Sequence, residues 1–257
     1  MRKGEAFTLI ELLVVIAIIV LLVAILIPTL QRVKKQAKAV VCQSNLRQWS
    51  LIWTMYTRDN NGYFPEAAWV WQQAVRPYYT DPKICVCPMA TKLYSEGGRA
   101  PFGAWSWTDN RGKLLSGSLG INQWVLNPPR TSTVGRRAPE YLWRTPDVTG
   151  TGSIPVFLDC AITGATVWPE DEPPELDGQF WAQGQGGSID EMRRFCVNRH
   201  DAYVNTLFMD WSVSKVGLKE LWILKWHREY NTAGPWTTAG GVQPSDWPQW
   251  MRRCKDY

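Results

Sequence analysis

Residues 7–30, FTLIELLVVIAIIVLLVAILIPTL, are almost wholly apolar, with one acid, Glu11, near the start. A run of about 20 apolar residues spans the hydrocarbon of a bilayer, so this stretch predicts a helix of membrane-crossing length. After Thr29 the pattern changes. Val33, Ala37, Val40, Ser44, Leu51, Ile52 and Met55 recur mostly at three- and four-residue steps, which predicts that the helix continues amphipathically and packs this stripe on a folded body. Pro28 lacks an N–H and clashes with the preceding turn, so a kink or local melting is expected there. Asp59-Asn60-Asn61-Gly62 stops the helix, because Asn and Gly tolerate the left-handed turn that ends one. The helix is therefore read as about 7–58.

Beyond it the pattern is short, punctuated by Gly and Pro, and mostly of period two. A short helix is expected at 69–79. Strands are expected at 102–107, 119–125 and 154–160, the last with Pro155 near its start. Alternation from Tyr203 to Met209 predicts a further strand. Asp210-Trp211 falls where a two-residue hairpin turn would sit, before a partner strand at 212–216. Trp disfavours the positive φ of a tight primed turn, so this turn must be longer or of another type. Residues 217–227 read as a short helix, 130–137 as an exposed loop, 168–187 as a long insertion, and 231–257 as a wrapped tail with aromatic anchors. The roughly 200 residues after the helix suffice for one globular head with a core. The expected class is α+β: a long helix and a head built on an antiparallel sheet.

Composition narrows the functions. The net charge is only +5 and no Arg/Lys-rich run occurs, which disfavours nucleic acid as a partner. The 16 Trp point to an aromatic core, with a sugar-binding surface as the alternative. Six cysteines, Cys42, Cys85, Cys87, Cys160, Cys196 and Cys254, allow a disulfide framework in an exported domain. Cys85 and Cys87 are poor mutual partners, since residues two apart in a strand lie roughly 6.5 Å apart, near the bridging limit. A zinc site has little sequence support: there is no Cys-x-x-Cys, and only His200 and His227 could serve. Glu170, Asp171, Glu172, Glu175 and Asp177 crowd one loop; a solvated acidic loop is the plain reading and a calcium site the alternative. No phosphate loop, Gly-x-Ser-x-Gly or His-Glu-x-x-His occurs, so no catalytic residues are assigned and an enzyme is not expected.

The amino terminus carries a more specific signal. A short basic segment, Met1 to Ala6, precedes Phe7-Thr8-Leu9-Ile10-Glu11 and the apolar run. This resembles the amino-terminal segment of type IV prepilins and type II secretion pseudopilins. The resemblance implies cleavage between Ala6 and Phe7, N-methylation of Phe7, and pairing of Glu11 with a neighbouring subunit's terminal amine. The residue before the cut is normally Gly in that family, and Ala6 departs from it. Pro28 also sits at a level where prolines occur in the family's long helix. Further on, Cys42-x-x-Asn45-Leu46-Arg47-Gln48, Asp59-x-x-Gly62-x-Phe64-Pro65, Cys87-Pro88, and His200 nine residues ahead of Asp210-Trp211 resemble a bacterial subgroup of such proteins, with Trp211 where that subgroup has Gly. About 33 Å of strand would separate His200 from Asp210, so they are not a mutual acid–base pair; Asp210 is read as a turn former and His200 as structural or partner-facing.

The resemblance implies a pilin-like lollipop: leader 1–6, hydrophobic helix 7–30, amphipathic continuation 31–58, and head 59–257. It also implies a filament subunit, held first in the inner membrane with a cytoplasmic amino end and later in a periplasmic or extracellular filament. No cofactor is expected beyond the calcium alternative, since some secretion pseudopilins bind calcium in a loop of the head. A prepilin peptidase, an inner-membrane platform and a cytoplasmic assembly ATPase are the implied partners. Arg32, Lys34, Lys35, Lys38 and Arg47 against Arg2 and Lys3 would favour the opposite orientation by charge alone; the leader is the more specific signal. A minor or tip pseudopilin, and a membrane-tethered polysaccharide-binding module, are the alternatives.

Overall fold

The computed structural model describes residues 8–67, 71–109, 112–129, 139–179 and 190–257. The leader with Ala6 and Phe7, Trp69, the loop at 130–137 and residues 180–187 of the acidic insertion lie outside the described residues.

Helix α1 (Leu9–Asp59) is 51 residues long. Every residue from 8 to 38 is exposed, so roughly 45 Å of helix stands clear of the head. The helix runs unbroken through Pro28, and the local melting expected there does not occur. Just after it, the Thr29 hydroxyl donates to the Ile25 and Leu26 carbonyls, at 3.2 and 2.8 Å. The helix stops at Asp59, as the Asn-Asn-Gly run predicts. Asn60 and Gly62 both donate to the Thr57 carbonyl, with Gly62 at φ +82°, a conformation other residues enter at a cost.

The docked face of α1 corrects the predicted stripe. Ala39, Cys42, Leu46, Trp49, Ile52, Trp53 and Thr57 are buried, while Val33, Val40, Leu51 and Met55 are exposed. At 3.6 residues per turn the two sets, apart from Ile52, lie on opposite sides of the helix. Both sides carry three- and four-residue apolar steps. What decides between them is the pair Trp49 and Trp53, whose large rings fill the space against the sheet.

The head carries short strands and 3-10 turns. Helix α2 (Trp71–Val75) and a 3-10 turn (Arg76–Tyr78) replace the longer helix expected there. Strands β1 (Lys92–Leu93), β2 (Gly103–Thr108) and β3 (Leu114–Gly117) form one small sheet. Strands β4 (Leu119–Asn122), β5 (Pro155–Asp159), β6 (Gly164–Ala165), β7 (Tyr203–Phe208) and β8 (Val213–Gly217) form the main sheet, in the order β6-β4-β5-β7-β8. Its pairs are antiparallel except β4 with β6. The β7–β8 hairpin closes on Phe208 and Ser212, leaving a three-residue loop. Trp211 occupies its left-handed position at φ +67°. The turn is thus one residue longer than two, and Trp takes the conformation that favours Gly. Its ring packs 6.4 Å from Phe64.

Helix α1 lies across β7 and β8. Phe157 on β5 meets Trp49 at 4.6 Å, Trp71 at 5.2 Å and Trp53 at 6.0 Å. Among the described residues every tryptophan is buried or half-buried. Their indole N–H groups hold irregular segments: Trp49 donates to Ile84, Trp124 to Val167, Trp143 to Trp226, Trp222 to Asp171 and Trp250 to Pro174. That is how a loop-rich head satisfies carbonyls that no strand pairs. The short helix expected at 217–227 is a 3-10 turn (Lys219–Ile223).

Candidate functional site

The projecting part of α1 is the first candidate surface. It is long and apolar enough to cross a membrane. Its first turn is closed by a capping box. The Thr8 hydroxyl accepts from the Glu11 N–H at 3.3 Å, and the Glu11 carboxylate accepts from the Thr8 N–H at 2.8 Å and the Thr8 hydroxyl at 2.7 Å. Glu11 therefore has a local partner within the subunit, which the Thr-x-x-Glu spacing signals. Ala6 and Phe7, the predicted processing residues, lie outside the described residues; Pro28 sits mid-helix, flanked by exposed apolar side chains.

A second set of side chains converges beneath the helix. Cys42 on α1, Cys87 in the loop after the 3-10 turn Pro82–Cys85, Asp159 at the end of β5, and His200 just ahead of β7 are all buried, with their polar atoms within 4.8 Å of one another. Phe157 and Asp159, two apart on β5, share the face that α1 covers. The Cys87 Sγ lies 3.3 Å from His200 Nε2, the Cys42 Sγ 3.7 Å from Asp159 Oδ1, and His200 Nε2 3.3 Å from Asp159 Oδ2. Asn45 draws Cys87 into place by donating to the Val86 carbonyl at 3.1 Å, and the Ser118 hydroxyl accepts from the Cys87 N–H at 2.7 Å. Next to His200, Asp201 and Ala202 are both left-handed, at φ 55° and 71°.

Arg199 completes the electrostatics. Its side chain is fully buried, 3.3 Å from Asp159, and it donates to the carbonyls of Pro101, Ser118, Gly103 and Cys160. Asp159 Oδ2 also accepts from the Asn205 N–H at 2.8 Å. Burial alone would raise the Asp159 carboxyl, but His200 and Arg199 hold it down at about 2. Burial alone would lower His200, and Asp159 outweighs it, raising the imidazole to about 10. Burial likewise opposes the Cys87 thiolate, but hydrogen bonds from Cys42 and His200 bring the thiol down to about 7. The same bond, with burial, pushes Cys42 well up.

The other predicted site residues are used differently. All six cysteines are free thiols, so the disulfide framework expected of them is not formed; Cys85, Cys160 and Cys196 are buried and Cys254 is half-buried. The five acids of the insertion do not converge. Asp171 accepts from the backbone N–H groups of Trp168 and Met192, Glu172 reaches Arg193, and Asp177 accepts from the Asn198 N–H. Glu170 and Glu175 are exposed. Asp210 is a turn former, accepting from the Ser212 N–H at 2.9 Å and hydroxyl at 2.6 Å. His227 stands apart in an aromatic cage. Asp159 and Arg199, which no motif marked, are the residues that sequence reasoning missed; a buried Asp closing an apolar strand was the one signal for Asp159.

Comparison with known proteins bears on the amino terminus. A family model described as the prokaryotic N-terminal methylation motif matches residues 1–27. The type IV wide pilus major component PilA4 of Thermus thermophilus is 48% identical over 63 residues, which is 24% of this chain and 48% of that protein. The chain thus spans about half the length of this curated relative. No solved structure matches. The first 27 residues carry a prokaryotic N-terminal methylation motif, on a chain whose long helix, exposed over its first half, and sheet-rich head form an α+β lollipop.

Proposed function

We propose that this chain is a structural subunit of a type IV pilus-like filament, assembled through α1. The carrying observation is the methylation motif at residues 1–27, set on a helix whose residues 9–38 are all exposed in the described structure. Similarity to a type IV pilus component supports the same reading. Burying some 20 apolar side chains gains about 1.5–3 kcal/mol each over exposure to water. Bilayer and filament core are both apolar, so either can house this helix, and moving between them requires a motor. Prepilin peptidase, inner-membrane platform and assembly ATPase follow as partners. The precursor is anchored in the membrane, and the assembled form is a surface filament.

Glu11 acts twice on this reading. In the lone subunit it caps Thr8; in the filament it meets a neighbour's methylated amine, since a buried carboxylate without a partner costs several kcal/mol. The charge pair fixes how far one subunit rises past the next. The outward stripe Val33, Val40, Leu51 and Met55 extends the apolar surface along the docked half of α1.

Electron microscopy of sheared surface filaments, with the amino-terminal residue read by mass spectrometry, tests this. Filaments made of a chain beginning at N-methylated Phe7 are expected. A chain that retains Met1 to Ala6 in the membrane and enters no filament refutes the reading.

A further inference from the structure

Three motifs of the sequence have no part in assembly through the amino-terminal helix: Cys42 ahead of Asn45-Leu46-Arg47, Cys87 ahead of Pro88, and His200 ahead of β7. The fold brings their side chains together against Asp159. We propose that Cys42, Cys87, Asp159 and His200 are the four ligands of a structural zinc ion that fastens α1 to the head.

The donor set is two sulfurs, one imidazole nitrogen and one carboxylate oxygen, which suits zinc and not the oxygen-seeking calcium or magnesium. The spacing is slightly wider than that of a tetrahedron. Bonds of about 2.3 Å to sulfur and about 2.0–2.2 Å to nitrogen and oxygen imply ligand–ligand edges of roughly 3.3–3.8 Å. Taken through the single oxygen Asp159 Oδ2, the measured edges are 3.3 Å for Cys87–His200, 3.3 Å for His200–Asp159 and 4.0 Å for Cys42–Asp159, and all four donors lie within 4.8 Å of one another, so an ion would draw them slightly inward.

Charge also closes. Two thiolates and the Asp159 carboxylate carry three negative charges; a divalent ion and the buried Arg199 supply three positive ones, and His200 is neutral. Loading releases the two thiol protons, with any imidazolium proton, to the buffer. The site is enclosed, as structural zinc sites are: all four residues are buried. An outer shell supports two of the ligands, with Asn205 N–H and Arg199 on the carboxylate and Ser118 on the Cys87 N–H. The ligands sit on α1, a loop, β5 and the approach to β7, so a single ion ties four segments that lie far apart in sequence. That dispersion is why no local cysteine spacing announces the site.

The test uses the full chain, solubilised in detergent and purified without chelator. Elemental analysis is expected to find equimolar zinc. Cobalt in its place is expected to give thiolate-to-metal charge transfer in the near ultraviolet and the intense visible bands of a tetrahedral ion. Cys87→Ser and His200→Gln should each weaken zinc binding by more than the roughly 10–100-fold that an outer-shell change costs, while Cys254→Ser keeps it. Chelation should lower the Tm of the parent chain and leave that of Cys87→Ser unmoved. Should a variant fail to fold, the cobalt spectrum of the parent chain decides alone. The proposal is overturned if the native parent chain takes up neither zinc nor cobalt at micromolar metal, if bound cobalt shows no thiolate band, or if the isolated chain carries a Cys42–Cys87 disulfide.

Discussion

His227 makes the stability of the head depend on acid in a way the structure quantifies. Its ring centroid lies 4.9 Å from Trp124, 4.9 Å from Tyr141, 5.1 Å from Trp168 and 5.2 Å from Tyr230. Neither ring nitrogen has a hydrogen-bond partner among the described residues. Burial, with a smaller contribution from Lys225, pushes the imidazole down to about 4. Above pH 6.5 the ring is neutral in both folded and unfolded chains, and the cage costs nothing. As pH falls below 6.5 the unfolded chain takes up a proton that the folded chain refuses until about pH 4, so stability drops through that window and levels off beneath it. A difference of about 2.5 pK units corresponds to about 3 kcal/mol, or roughly 300-fold in the folding equilibrium.

The perturbation is His227→Phe, which keeps an aromatic block and removes the proton site. Asp171 acts with the opposite sign: burial pushes its carboxyl up to about 8, so its contribution is full at low pH and fades as pH rises through 8. Only the difference between parent and variant isolates His227. Denaturant unfolding of the detergent-solubilised chain, followed by tryptophan fluorescence from pH 7.5 to about 4, should show the variant gaining about 3 kcal/mol relative to the parent across that range. Its absolute stability at neutral pH is immaterial, since overpacking shifts the whole curve. Parallel curves, or a His227 proton titrating near 6.5 in the native chain, refute the argument.

Glu11→Ala is expected to leave cleavage before Phe7 intact and to abolish or sharply reduce filaments, read by mass spectrometry of the chain and by the yield of sheared filament; normal filament yield removes the register argument. Arg199→Met strips the buried Asp159 of a fully buried cation and should destabilise the head by about 3–5 kcal/mol, measured by chemical denaturation. A loss below about 1 kcal/mol would mean that Asp159 is already neutral or otherwise compensated.

The parts of the fold legible in the sequence are those with one strong local cause. The apolar run and the Asn-Asn-Gly stop define α1 at both ends, Pro155 marks the start of β5, and alternation marks β7. What misled was a choice between two faces of equal periodicity. Val33, Val40, Leu51 and Met55 read as the buried stripe, yet the docked side is the one with Cys42, Leu46, Trp49 and Trp53. Size, which periodicity ignores, settled it. The cysteines show a second limit. An even number in an exported head suggested bridges, but pairing depends on where four distant segments meet, and here two thiols meet a histidine and an aspartate instead of each forming a disulfide. Arg199 was invisible for the same reason, and Asp159 carried only its place at the end of an apolar strand, because their partners come from strands and loops that only the tertiary fold makes adjacent.

The helix is one continuous element under two different constraints, and substitutions along it should separate accordingly. Residues 9–38 are exposed among the described residues, so an apolar side chain there has little packing against the head to lose. Leu13 is 56% exposed, and Leu13→Ala should move the stability of the head by less than about 0.5 kcal/mol. Leu46 is fully buried on the docked face of α1, and Leu46→Ala removes side-chain volume from the core at a cost of about 2–5 kcal/mol. Filament yield should respond in the reverse sense when Leu13 is replaced by a polar residue, because on the proposed assembly its apolar contacts are made with other subunits. Thermal melts of the two alanine variants, set beside filament yield from Leu13→Asn, therefore read the division directly. A loss of head stability in Leu13→Ala would mean that the first half of α1 folds back on the head, and the separation of anchor from clasp would fail.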